Sequence, residues 1–156
     1  LYDQSAQDEA RAAGVGAKLT LTMGGKTDDL HGEPLVAEVT VKSLHDGNFE
    51  ESEIRHGGYT HFEMGPTAVV VTDTGLTISL TSLRIVPVSL GVVTSIDLDP
   101  ADFQILVAKG VHAPVAAYEP VCQTLLRVNS AGVTAADMRT FEYEFRRRPM
   151  HPFEEV

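Results

Sequence analysis

Residues 35–41 place Leu35, Ala37, Val39 and Val41 on one side of an extended chain and Val36, Glu38 and Thr40 on the other. A period of two is strand geometry, because successive side chains of a strand point to opposite faces. A strand with an apolar face needs a sheet around it and a layer over that face, so this stretch commits the chain to a β-rich fold. The pattern recurs at 18–23, where Leu19, Leu21 and Met23 share a face. Residues 67–72 and 76–81 predict a hairpin across Asp73-Thr74-Gly75, with Leu76, Ile78 and Leu80 alternating against Thr77, Ser79 and Thr81. His45-Asp46-Gly47-Asn48 reads as a turn, after which 49–54 is expected to pair back, and 83–88 to continue or begin a strand.

Helical signals are fewer. Residues 3–13 are dense in Ala, Ser5 and Asp8 have the spacing of a capping box, and Gly14 supplies a stop. A helix this short is marginal alone and must dock on something. After Asp99-Pro100 the pattern changes. Ile105-Leu106-Val107-Ala108 is continuously apolar, as in a strand buried on both faces. Pro114 then suits a first helical position, with a helix expected to about Cys122 and a further strand at 125–128. Strand, helix and strand over that distance just allow a right-handed parallel crossover. The tail, 141–156, holds Pro149 and Pro152 and reads as extended. The resulting expectation is one α+β domain over residues 1–156: a β-rich mixed sheet with a few helices and a closing α/β portion.

Charge narrows the function classes. Twenty-two acidic and twelve basic side chains give a net charge of -10, which argues against a nucleic-acid partner, since phosphates need a basic stripe. The cluster Arg146-Arg147-Arg148 is short and reads as a solvated or ion-paired strand end. No apolar run approaches the length of a membrane span, so no membrane partner is expected. Cys122 is the only cysteine, which excludes a disulfide framework; it reads as a buried core thiol, and the expected location is cytoplasmic. The chain opens on Leu1 with no signal-peptide pattern ahead of its first element, so the expectation is a piece of a longer polypeptide.

The six histidines, His31, His45, His56, His61, His112 and His151, show no i,i+4 or i,i+2 pair, and there is no His-Glu-x-x-His, paired Cys motif or Gly-x-Ser-x-Gly elbow. His56 and His61 flank a turn and read as exposed loop histidines, as does His45. The strongest candidate follows the apolar run at 105–108. A strand end leading into a helix faces the crevice where α/β sheets bind ligands, and Lys109 and His112 stand there as the catalytic candidates. A lysine there can hold an anionic group or a developing oxyanion, and a histidine can shuttle a proton. Gly110 lets the backbone approach a ligand. The bland alternative is a snorkelling lysine and a helix-capping histidine. A second candidate, for substrate binding, is the loop holding Gly24, Gly25, Lys26, Thr27 and His31; the alternative is an ordinary exposed turn. Its Gly-Gly-Lys-Thr lacks the spacing of a phosphate loop.

The segments Ala13-Gly14-Val15-Gly16-Ala17, Gly24-Gly25-Lys26-Thr27 with Leu30-His31-Gly32, Met64-Gly65-Pro66-Thr67-Ala68-Val69, Thr81-Ser82-Leu83-Arg84, Val107-Ala108-Lys109-Gly110-Val111-His112, Ala117-Tyr118-Glu119-Pro120 and Gly132-Val133-Thr134, closing with Arg147-Arg148-Pro149 and Pro152, occur in an order that resembles the C-terminal domain of the microcystinase C-like (microcystin LR degradation protein) zinc metallopeptidases. The likeness covers nearly the whole chain. It implies a two-part protein in which a long N-terminal region carries the zinc ligands and this part borders the cleft around Lys109 and His112. No metal ligand transfers to this chain, so zinc is expected in the full-length protein and none here. The implied partners are a small peptide or amide substrate and the chain's own N-terminal region. Many family members carry a more aromatic, arginine-bearing segment after the lysine, where this chain reads Gly110-Val111-His112-Ala113-Pro114.

Two readings of function follow. One is an accessory domain of a zinc-dependent amide hydrolase, inactive alone. The other is a binding module, including a homodimer, whose motifs maintain fold and contacts. A stand-alone enzyme pairing His112 with Glu119 or Asp102 is the third and weakest.

Overall fold

The computed structural model describes residues 1–29, 31–53, 58–110, 112–130 and 137–155. Helix α1 spans Gln4–Ala13. Among the described residues six strands follow: β1 Lys18–Met23, β2 Leu35–His45, β3 Asn48–Glu50, β4 His61–Glu63, β5 Thr67–Thr72 and β6 Thr77–Thr81. The short helices α2, Gly91–Thr94, and α3, Val115–Tyr118, lie in the last part. Four strands form one antiparallel sheet in the order β1-β2-β5-β6, and β3 and β4 form a separate two-stranded ribbon. The first residues add a parallel bridge from Tyr2 to Thr81 at the β6 edge, so the sheet is mixed and the α+β expectation holds.

The alternation seen in the sequence becomes the core. Leu21, Met23, Val39, Val41, Ala68, Val70 and Leu80 share one sheet face and are buried with Ala6 and Ala10 of α1. The helix is held by this contact, because ten residues gain little from propensity alone. Full burial of a Val or Leu stabilises by about 1.5–3 kcal/mol. Strand β2 runs past the predicted stretch because of a bulge: Val41 faces Val70 and Ser43 faces Val69, so Lys42 is the extra residue. The bulge turns Leu44 towards the α1 core. Strand β5 is buried on both faces. Its Val69 joins Met64, Ile96 and Leu98 in a second cluster, against which Phe49, Val92 and Phe103 pack. Phe49 stacks on Phe62 across the ribbon, centroids 4.9 Å apart. Gly91 lies so close beneath Phe49 that a Cβ there would sit 2.3 Å from the ring.

Several local expectations are corrected. The N-cap of α1 is Asp3, whose carboxylate accepts from the Ala6 amide, not Ser5 with Asp8. Residues 49–50 pair with β4 rather than back onto β2; Ile54 lies outside the described residues. Residues 83–88 are irregular. Residues 105–108 are not a buried strand. Among the described residues the stretch carries no strand or helix, and Ile105 and Val107 are 78% and 92% exposed. The strand expected at 125–128 is likewise absent, and the helix after Pro114 is a single turn, so no parallel crossover forms. Apolar continuity predicted burial, but Ile105 and Val107 stay exposed while Leu106 and Ala108 are half-buried. Cys122 is half-buried rather than a core thiol.

Candidate functional site

The glycine-rich loop leaves β1 and returns to β2. Its conformation is dictated by contact: Gly25 has φ 59°, and a Cβ there would lie 2.6 Å from the Pro34 nitrogen. Only glycine fits both the left-handed backbone and the close approach. The Gly24 amide donates to Asp3 Oδ2 at 2.9 Å. The Lys26 ammonium donates to Asp3 Oδ1 at 3.0 Å and to Ser5 Oγ at 2.8 Å, and it stands 2.9 Å from Asp3 Oδ2. The charge of Lys26 is therefore committed to the first turn of α1. Thr27 is exposed. His31 Nδ1 lies 2.7 Å from Asp28 Oδ1, which also accepts from the His31 amide. Leu30 lies outside the described residues.

Asp3, which is not among the residues singled out by sequence pattern, joins these parts. It is buried. Burial opposes its ionisation, yet the Lys26 ammonium, the Ala6 and Gly24 amides and the Ser5 hydroxyl outweigh this and hold its carboxyl below the usual range. The available signal was an Asp directly ahead of an alanine-rich run.

Lys109, Gly110 and His112 are exposed, on the irregular segment between Phe103 and α3. The His112 carbonyl accepts from the Val115 amide at 3.1 Å, closing the turn into α3. A Cβ on Gly110 would approach the Pro114 ring to 2.8 Å, so glycine keeps the segment folded tightly onto Pro114. No hydrogen bond or ion pair among the described residues joins Lys109 or His112 to the Gly24–His31 loop. Val111 and the motif Gly132-Val133-Thr134 lie outside the described residues, as does His56. His61 faces Glu50 at 3.1 Å on an exposed surface, and His45 Nε2 meets Ser43 Oγ at 2.8 Å. Among the described residues no three His, Cys, Asp or Glu side chains group closely enough to hold a metal ion, and no helix is long and apolar enough to cross a membrane.

The tail organises itself. Arg146 donates to both Glu154 carboxylate oxygens, at 2.8 and 2.5 Å. Its guanidinium also lies 4.4 Å from the Phe153 centroid, and Phe153 meets Tyr143 edge-on. The Arg146 bonds, with the Met150 amide, pull the Glu154 carboxyl down to about 2.

A family profile described as the MlrC C-terminus matches residues 1–145. The chain belongs to the MlrC C-terminus family. No curated protein matches it. This MlrC C-terminal chain is similar in fold to a Mesorhizobium sp. BNC1 protein whose crystal structure is described as that of a "putative metallopeptidase". The TM-score is 0.84 and the identity 24%, over 100% of this chain and 31% of the other. The MlrC C-terminal chain thus spans less than a third of that structural neighbour.

Proposed function

We propose that this chain is the C-terminal part of a zinc-dependent metallopeptidase or amide hydrolase acting on a small peptide or amide, where it contributes substrate binding and one border of the active-site cleft. The family assignment supports the reading, as does the likeness to a longer chain named for peptidase activity. The observation that carries it is the segment around Lys109 and His112, where both polar side chains, with Ile105 and Val107 just ahead of them, are exposed.

On this reading a zinc ion is held by the rest of the protein. The residues of this chain have simpler work. Lys109 offers an ammonium for a substrate carboxylate or an amide oxygen gaining negative charge. His112 offers a ring nitrogen for holding or moving a proton. Gly24, Gly25, Lys26, Thr27 and His31 shape the second loop, Lys26 through its hold on Asp3. Lys109→Ala in the full-length protein is expected to lower turnover about 100-fold with zinc content unchanged; unchanged turnover removes Lys109 from the reaction. Zinc analysis and amide hydrolysis by this chain beside the full-length protein test the larger claim, with both expected only in the latter.

A second reading, a binding or dimerisation module, draws on the same exposed apolar side chains. It predicts that the full-length protein is a dimer through this face.

A further inference from the structure

Residues 104–110 and 123–130 share an unusual state. Among the described residues, no backbone N–H or C=O in either stretch takes part in a hydrogen bond. Backbone groups with no partner in the chain are left to water, and a protein buries them only where something else pairs them. Both stretches also expose large apolar side chains: Ile105 and Val107 in the first, and Leu125, Leu126 and Val128 in the second, the last two at 79% and 84%. Single exposed apolar residues are normal, but two runs beside unpaired backbone are not. The run at 105–108, β-branched and leucine-rich without charge, has the composition of a strand covered on both faces, and 125–128 is apolar apart from Arg127.

We propose that these two runs are strands without their sheet, and that they pair with the portion of the longer polypeptide corresponding to the part of the structural neighbour that this chain does not span. The proposal rests on the reading of this chain as part of a larger hydrolase. The size of the uncovered part supports that occupant over a second copy: the neighbour's chain is more than three times as long as the matched part. Strand addition gives these unpaired amides protein partners and buries the apolar side chains in one event, and a strand edge is a ready template for it. It also fixes where Lys109 goes. The first run ends at Ala108, so pairing would deliver Lys109 and Gly110 to the rim of the adjoining sheet.

Hydrogen–deuterium exchange on the full-length protein, at concentrations where sizing shows a monomer, tests this. Amides at 104–108 and 125–128 are expected to exchange at least ~100-fold more slowly than an unstructured chain. Exchange at random-coil rates would overturn the proposal. Protection that appears only at concentrations where the protein dimerises would assign the strands to a second copy and overturn it too. Zinc content and hydrolysis on the same sample separate the two claims. Protection without either leaves the strand pairing standing and removes the enzymatic reading, whereas activity with unprotected segments does the reverse.

Discussion

Asp3 shows how one side chain can tie three pieces of chain together. It caps α1, receives the Gly24 amide and neutralises Lys26. Losing a cap costs about 1 kcal/mol, and the buried amide and ammonium left behind add to this. Asp3→Ala is therefore expected to lower stability by about 2–3 kcal/mol near neutral pH, read from the urea midpoint. The pH dependence has a defined sign. The folded carboxyl lies below its ordinary value of 3.8, so its contribution is complete above that value and is lost as pH falls through the folded one. Wild type and variant should converge in acid, and a constant gap down to pH 2 would disprove the ionic role. Only the cap had a local signal, an Asp ahead of an alanine-rich run, and the link to Lys26 and Gly24 had none. Ser5 with Asp8 offered an equally good local cap, and the choice was made by a lysine from a loop distant in sequence.

At the scale of elements, legibility followed who supplies the neighbours. β1, β2 and the β5–β6 hairpin were readable because their alternating residues meet one another within this chain. The ribbon of β3 and β4 was not, since three-residue strands carry too little pattern. Of the candidate residues, the sequence picked out the loop at Gly24 and the segment at Lys109 but not their settings, since the first is stapled to α1 and the second lies open. The packing predicts unequal mutational costs. Val70→Ala removes two methyl groups from the buried α1 face of β5 and is expected to cost about 2–3 kcal/mol. Thr20→Ala, on the exposed face of β1, should stay within about 0.5 kcal/mol. Chemical denaturation of both variants checks this, and equal effects would mean that α1 does not pack as described.

The whole molecule is unevenly finished. Its sheet and helix bury their apolar faces, whereas Ile105, Val107, Leu126, Val128 and Phe145 stand in solvent. Produced alone, the chain is expected to self-associate, its mean mass by sedimentation rising with concentration, while the full-length protein holds a constant mass. Charges at both runs, as in a Val107→Lys, Leu126→Lys double variant, should suppress the rise. A chain that stays monomeric without them would show that its apolar side chains find cover at home. The finished half raises a different matter, the register of its central strand. Val69 and Val70 are both valine and both buried, so a slip of β5 by one residue would exchange like for like and meet little resistance from hydrophobicity. Alignment has to come from elsewhere. It comes from the extra residue at Lys42 and from Gly47, where a Cβ would come within 2.0 Å of the Gly65 carbonyl oxygen. Deleting Lys42 would thus disturb this fold more than many core truncations, although its side chain is exposed.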